Sequence, residues 1–319
     1  MRNPRQSPPW APAAGWFNTR TAVGPGHPRG FIMTATEALR RGDLATALRE
    51  LQDQVRSKPQ DAESRVFLFQ LLAVMGQWER TLTQLNLCGQ LDPAAMMMVQ
   101  AYSQVIRCEM LRAEVFAGKR TPLVLGEPST WVALLIQSLA QRAAGQAEAA
   151  EKSRDQAFEA APAHGGSVRW RASGSGAEEV LKTDRFEWLA DADPRLGPMI
   201  EAMVDGRYYW VPVGHIRSLH IDPPTDLRDL VWLPAQFTWV SGGQQLGFIP
   251  TRYPGSESTA DDAIRLARLT SWVADDHGFE TGLGQRLLAT DSGEYSLLDI
   301  RQIDWDLSAP ADGESAPHG

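Results

Sequence analysis

Cysteine is scarce in this chain: two occur among 319 residues, Cys88 and Cys108. Both have apolar surroundings in segments with helical character, so we expect buried thiols in a reducing compartment rather than a disulfide or a nucleophile. Long apolar runs are scarce as well. The best candidate, residues 132–136, is far shorter than the roughly 18–20 residues needed to cross a bilayer. The sequence therefore predicts no membrane insertion.

Positive charge is also in short supply. The chain carries 31 Lys and Arg residues against 39 Asp and Glu, a formal charge of −8. Binding to a phosphate backbone depends on a basic surface, so this balance disfavours nucleic acid as a partner. The remaining composition, 43% hydrophobic and 22% charged, is that of a globular protein. Its length suggests two domains.

Both ends of the chain differ in amino-acid composition from the middle. Residues 1–32 contain six prolines and no continuous apolar run, so we expect a disordered or non-native extension and no signal peptide. Thr34 and Glu37 fit a capping box for a helix that starts just after Met33, which marks Met33 as a candidate start. Residues 308–319 read as a disordered tail.

A recurring pattern divides the first half into similar units. A glycine is followed five residues later by a small residue and, twelve residues after that, by a proline. The three occurrences are Gly42, Ala47, Pro59; Gly76, Thr81, Pro93; and Gly145, Ala150, Pro162. The first two glycines are 34 residues apart, the tetratricopeptide period. Residues 33–165 are therefore predicted to form a tetratricopeptide-like helical domain.

The pattern has a physical basis and one gap. Glycine suits the tight turn between two helices, and proline ends the second helix. The unit expected at residues 95–128 lacks its glycine and is predicted to run as one long helix over residues 94–117. Stacked helix pairs form a groove suited to a peptide or a helix. Met96, Met97 and Met98 are adaptable side chains that suit such a surface, although filling a core is the favoured interpretation.

The second half changes to short β-prone segments separated by turn signals and rich in tryptophan. Residues 166–307 are predicted to form a mostly antiparallel, β-rich α+β domain, which makes the whole chain α+β. Strands are expected at residues 208–213, 218–221, 230–233, 236–240, 245–249, 285–290 and 295–305. One helix is expected over residues 260–275, with Ser258 and Asp261 fitting its cap.

No motif predicts a metal or cofactor site. His215, His220 and Asp222 lack a third firm ligand at a recognised spacing. The glycines at Gly282 and Gly284 precede a predicted strand, whereas a dinucleotide loop opens a helix. The sequence has no nucleophile elbow. We therefore expect no cofactor, no metal and no catalytic constellation.

Aspartate and arginine alternate in several loops of the second half. The candidate cluster, either a contact surface or a set of loop-fixing residues, is Asp191, Asp193, Arg195, Asp226, Arg228, Asp229 and Arg252. Turn capping and ion pairing are the favoured interpretation. An alternative stays open, in which these residues line the pocket of an enzyme or a small-molecule-binding protein.

Several long segments resemble one protein family. They read FEWLADADPRLGP at residues 186–198, PTDLRDLVW at 224–232, IPTRYPGS at 249–256 and GQRLL at 284–288. In the first half, VFLFQLL at 66–72 and GQWER at 76–80 fit as well. Together they resemble the ImpE/SciE family, also called TagJ, of type VI secretion accessory proteins. The resemblance covers about residues 34–306.

The resemblance implies a partner and no reaction. Proteins of this family bind the N-terminal segment of the small sheath subunit and associate with the ClpV-type ATPase that disassembles contracted sheath. By resemblance, this chain is expected to be a non-catalytic, cytoplasmic adaptor of that apparatus. The resemblance implies no role for any single residue. Besides the pocket alternative, a scaffold that oligomerises remains a third hypothesis.

Overall fold

Seven helices form the first layer of the part of the chain that the structure describes. The computed structural model describes residues 34–126, 129–172 and 180–307. The helices are α1 (Ala35–Arg41), α2 (Leu44–Ser57), α3 (Ala62–Val74), α4 (Trp78–Leu91), α5 (Met96–Phe116), α6 (Thr130–Ala143) and α7 (Ala147–Ala160). The predicted start of α1 is confirmed, because the Thr34 hydroxyl accepts a hydrogen bond from the Glu37 amide at 3.2 Å. The proposed extension and tail, residues 1–32 and 308–319, lie outside the described residues.

Short turns join these helices in pairs. Gly42, Gly76 and Gly145 follow α1, α3 and α6 and adopt φ values of 79°, 67° and 74°. This left-handed conformation is costly for residues with a side chain, so the predicted role of glycine in these turns is confirmed. The long helix expected at residues 94–117 is α5, and residues 117–126, the described stretch after it, contain no second helix. Whether the module is a tetratricopeptide array stays a prediction.

The second layer is a nine-stranded sheet in the order β1-β6-β5-β9-β8-β7-β14-β2-β3. Its strands are β1 (Leu123–Val124), β2 (Gly166–Ala172), β3 (Val180–Phe186), β5 (Met199–Val204), β6 (Arg207–Pro212), β7 (Ile216–Ile221), β8 (Trp232–Trp239), β9 (Gln244–Pro250) and β14 (Ile300–Trp305). All its pairings are antiparallel except that of β1 with β6. The predicted α+β class is confirmed.

Two smaller sheets flank the large one. The hairpin of β10 (Thr270–Ala274) and β11 (Glu280–Gly284) is two-stranded. The strands β4 (Leu189–Asp191), β12 (Leu287–Thr290) and β13 (Glu294–Ser296) form a three-stranded sheet in the order β13-β12-β4.

The prediction of a helix over residues 260–275 is wrong in its length. Asp261 does cap a helix, but α8 covers only Asp262–Arg265. Ala267 adopts φ 52°, and the Arg268 amide donates to the Ala263 carbonyl, which closes the helix end. Alanine in this left-handed position carries no stop signal that the sequence could reveal. Residues 270–274 of the expected helix form strand β10 instead.

The two strands expected on either side of Pro234 form one continuous strand, β8. Proline lacks the amide donor of a central ladder, which is why the sequence suggested a break. However, β7 pairs with β8 only from Ala235 onward, so the ladder on that side ends before Pro234. On the other side, Pro234 lies opposite Phe248 of β9.

One hydrophobic core joins the helices to the sheet. Tyr102 of α5 lies 6.2 Å from Trp232 and 5.2 Å from Phe248, measured between ring centroids. Phe116 lies 5.8 Å from Trp210 in the same way. A second core covers the other face of the sheet. In the described residues, the face of α5 toward the sheet is therefore filled by the chain's own side chains.

Candidate functional site

Arg195 and Asp193 form one of the predicted pairs. Arg195 Nη2 lies 2.6 Å from Asp193 Oδ2, and Arg195 Nε also donates to the same carboxylate. Asp193 accepts the Gly282 amide at 3.1 Å, which ties the loop after β4 to β11. The Arg195 guanidinium lies 4.9 Å from the centre of the Phe116 ring. This pair fixes a loop and contacts α5.

A second group holds the turn at residues 226–229 together. The Asp229 carboxylate accepts the amides of Thr225 and Asp226, each at 2.8 Å, as part of a capping box. Arg228 Nη2 donates to Asp226 at 2.6 Å, and the guanidinium lies 4.5 Å from the Tyr102 ring centre. Arg228 Nε and Nη1 have no hydrogen-bond partner among the described residues. Burial raises the pKa of Asp229.

Arg252 is the predicted residue that bonds directly to a helix end. Its Nη1 donates to the Val74 carbonyl at 2.8 Å and also to the Arg265 carbonyl. The last carbonyls of a helix carry partial negative charge, so a guanidinium there is stabilising. Burial lowers the pKa of Arg252 to about 10.

Asp191 belongs to a buried ionic network centred on Glu201 of β5, which the sequence did not single out. Arg112 of α5 donates to Glu201 through Nε at 2.6 Å and Nη2 at 3.1 Å. Arg286 donates to both Glu201 and Asp191, and the Tyr208 hydroxyl donates to Glu201. The two arginines therefore hold one carboxylate from both sides.

The same network reaches further into the helical layer. Arg112 Nη1 donates to Glu109 at 2.9 Å, and the other Glu109 oxygen accepts the Trp232 indole N–H at 2.9 Å. Arg112 Nη2 also donates to the Arg252 carbonyl at 2.9 Å. Thus α5, the sheet and the segment after β9 share one set of polar bonds.

The pKa values of Glu201 and Asp191 depend on burial and on these partners. Burial opposes ionisation of Glu201, but the charges of Arg112 and Arg286 outweigh it and lower its pKa to about 2. Burial dominates at Asp191 and raises its pKa to about 6, although Arg286 acts in the opposite direction. An ion pair in low dielectric needs such close partners, since each unpaired buried charge is costly.

Sequence patterns reveal only some of the residues that form this network. Glu201 lies in β5, whose six residues are all buried. A carboxylate inside an otherwise apolar strand is the signal that locates it, because a buried charge needs a partner. Glu109 and Arg112 are three residues apart on α5, a spacing that usually means a surface pair. Their burial depends on the sheet that packs over them.

Most of the predicted site residues are shielded from solvent. Asp191, Asp193, Asp226, Arg228, Asp229 and Arg252 are all buried. None of these six lines either of the two depressions described below. Among the described residues, the 226–229 group shares no side-chain hydrogen bond with Asp191, and Arg252 donates to main-chain carbonyls. Their bonds hold loops and elements in place.

The histidines and cysteines lie apart from this network. His220 Nε2 is 3.4 Å from Asp222 Oδ1 on the surface. His215 lines a depression of about 200 Å³ together with His164 and Trp131. No group of three or more His, Cys, Asp or Glu side chains is arranged to hold a metal ion within the described ranges. Cys88 and Cys108 are buried free thiols, and burial raises the pKa of each thiol to about 11.

A second depression, of about 280 Å³, lies between the ends of α5 and α6 and the β10–β11 hairpin. Arg142 lies 3.5 Å from the Phe279 ring centre there and 2.5 Å from Asp275. Its charge is therefore already paired within the chain. No helix in the described part of the chain has the length and apolarity to cross a membrane.

A family model, a relative and a solved structure are similar to this chain. Residues 183–304 match the family model described as ImpE protein. The chain is 50% identical over 274 residues to the type VI secretion system accessory component TagJ of Pseudomonas aeruginosa, covering 86% of this chain and 92% of that protein. An X-ray crystal structure of a Vibrio parahaemolyticus protein shares the fold, with a TM-score of 0.73 and 25% identity over 86% of this chain and 98% of that one.

Proposed function

Because the chain belongs to the ImpE family, we propose that it is an accessory protein of type VI secretion that acts as a non-catalytic, cytoplasmic adaptor. It binds the N-terminal segment of the small sheath subunit and associates with the ClpV-type ATPase that disassembles the sheath. The observation that carries the proposal is the 50% identity to an accessory component of that system over most of both chains.

The geometry supports an adaptor more than an enzyme. Each of the seven aspartates and arginines that a pocket would use is bonded within the chain, to another of the seven, to Arg286 or to the main chain. We infer that they fix loops and join the two layers, and that partner contacts lie elsewhere. An enzyme would need an open site where charged groups and a substrate can meet.

The direct test is binding of the sheath segment. A synthetic peptide of about 25 residues from the N-terminus of the cognate small sheath subunit is titrated into the full chain, with a scrambled peptide as the control. We expect a dissociation constant in the micromolar range. Absence of binding at tens of micromolar, about −6 kcal/mol, contradicts the sheath assignment.

The ATPase is tested separately by size-exclusion chromatography of the full chain with the cognate ATPase, with and without the small sheath subunit. Co-elution without the subunit indicates direct contact, and co-elution only with it indicates a bridge. No co-elution in either mixture contradicts the association with the ATPase.

A further inference from the structure

The hairpin of β10 and β11 has one edge joined to the rest of the protein and one edge open. On the β11 side, the Gly284 carbonyl accepts the Tyr253 amide at 2.9 Å, and the Gly282 amide donates to Asp193 at 3.1 Å. The backbone groups of these two glycines therefore face away from β10. In an antiparallel ladder, the residue opposite such a position also points its N–H and C=O outward.

The open edge consists of the outward backbone groups of Thr270, Trp272 and Ala274. Thr270 and Trp272 lie opposite Gly284 and Gly282, and Ala274 continues the same alternation. Within the described ranges, these outward groups have no main-chain partner. The strand thus offers the N–H and C=O groups of three residues to a further strand.

This edge lacks the features by which proteins usually guard an open strand. Lysine, proline or a bulge at an edge discourages pairing with another chain. β3, the outer strand of the large sheet, carries three charged residues, and the Ser292 hydroxyl donates to its Arg185 carbonyl. β10 has no charged residue and no proline, and its Trp272 and Val273 are exposed by 37% and 48%. β10 is therefore the edge that is open to a further strand.

The pattern of outward groups on β10 matches itself when a second copy runs antiparallel with the two Trp272 residues opposite each other. Thr270 of each copy then faces Ala274 of the other, so all the outward groups meet in hydrogen-bonded pairs, about six bonds at two per pair. A shift by two residues in either direction loses one of these pairs and separates the tryptophans. A shift by one residue turns the side chains to opposite faces. Aromatic side chains that face each other across strands add stabilisation.

Charges at the two ends of the strand favour the same register. Arg268 precedes β10 and Asp276 follows it, and both are exposed. Arg268 donates to the Leu39 and Arg40 carbonyls, but among the described residues neither charge forms a salt bridge. In the pairing centred on Trp272, Arg268 of each copy comes next to Asp276 of the other. Opposite charges across neighbouring strands are stabilising.

We infer that β10 pairs with β10 of a second copy of this chain, antiparallel and centred on Trp272, to give a two-fold dimer. The inference goes beyond the proposed function and does not rest on it. Five residues from each copy make a small interface, so we expect a dissociation constant in the micromolar range. Such a dimer presents the other surfaces of the chain twice, which raises the avidity for a partner with repeated sites.

Light scattering on the full chain tests whether the dimer forms. At high concentration we expect a mass of twice the 35.2 kDa of one chain, falling toward the mass of one chain on dilution. The mass of one chain even at millimolar concentration overturns the inference and leaves the proposed function intact.

Amide hydrogen exchange, measured residue by residue by NMR, shows which surface the dimer uses. We expect the amides of Thr270, Trp272 and Ala274 to exchange at least tenfold faster on dilution, because they then lose their partners. The amides of Ser271 and Val273 face β11 and are the internal control, with no change expected. A dimer whose dilution leaves the first three amides unchanged uses another surface, which overturns the inference.

A charge exchange tests the register without depending on how well one variant folds. Asp276→Arg places an arginine next to Arg268 of the other copy and is expected to weaken the dimer at least tenfold, about 1.4 kcal/mol. Adding Arg268→Asp restores opposite charges and is expected to recover most of the loss. Glu294→Arg makes the same change of charge at an exposed position on β13 and is expected to dimerise as the wild type. Equal dissociation constants for Asp276→Arg and the wild type, or no recovery in the double variant, overturn the pairing centred on Trp272.

Discussion

Arg112 and Glu201 form two hydrogen bonds, of 2.6 and 3.1 Å, across the boundary between the helices and the sheet. Arg112 comes from α5, in the first half of the chain, and Glu201 comes from β5, in the second half. Both side chains are almost completely buried, at 3% and 0% exposure. This bond therefore depends on both halves being folded against each other.

Removing the charge of Glu201 is expected to destabilise the protein strongly. Glu201→Gln leaves Arg112 and Arg286 buried with less compensation, and breaking a buried ion pair costs roughly 3–5 kcal/mol. Chemical denaturation gives the free energy of unfolding. The control is Arg41→Gln, which breaks the exposed pair with Glu37 and is expected to cost less than about 1 kcal/mol. Equal losses in the two variants contradict the role assigned to Glu201.

The same substitution is expected to change the response to acid. The folded-state pKa of Glu201 is lowered to about 2 from 4.5, so its stabilisation is present above pH 4.5 and is lost as the pH falls toward 2. The gap in unfolding free energy between wild type and Glu201→Gln is expected to narrow by about 2 kcal/mol from pH 5 to pH 3. Denaturation curves at each pH measure it, and a constant gap contradicts the lowered pKa.

Two interhelical turns are expected to differ in their tolerance of alanine. Gly76 and Gly145 both adopt positive φ, so Gly→Ala carries a backbone cost of about 1–2 kcal/mol at each. A Cβ on Gly76 would also lie 2.4 Å from Glu257 Cγ, whereas nothing lies within 4 Å at Gly145. Thermal denaturation is expected to show a larger loss for Gly76→Ala than for Gly145→Ala. The opposite order contradicts the contact with Glu257.

The helical half is not expected to fold alone. A fragment of residues 34–165 exposes Tyr102 and Phe116, which lie against Trp232, Phe248 and Trp210 in the intact chain. Its Arg112 also loses Glu201. We expect a broad thermal transition by circular dichroism and strong binding of a hydrophobic dye. The full chain is the control, and a cooperative transition of the fragment would support the two separate domains predicted from the sequence, with their boundary at residue 165.

The sequence located the elements that short-range chemistry determines. Gly42, Gly76 and Gly145 mark turns because glycine alone adopts their backbone geometry without strain. Asp261 marks a helix start because its carboxylate caps the first turn. The end of that helix near Ala267 was not predicted. Tertiary contacts hold this alanine in a left-handed conformation, and in the sequence it resembles any other helical residue.

The candidate site was predicted in part for a similar reason. Asp193 and Arg195 are two residues apart, and so are Asp226 and Arg228, so local pairing could be proposed from spacing. Glu201 meets Arg112 across 89 residues and Arg286 across 85. No periodic pattern relates such distant positions, and only the packing of α5 on the sheet brings them together.

The two-residue strand β1 protects one edge of the large sheet, beside β6. Leu123 and Val124 lie beside Tyr209 and Trp210 of β6, a strand whose outer backbone groups would otherwise be free to pair with a foreign strand. A pairing so short offers little template for further growth. The connection after α5 thus leaves the helical layer and shields this part of β6 from unwanted edge-to-edge association.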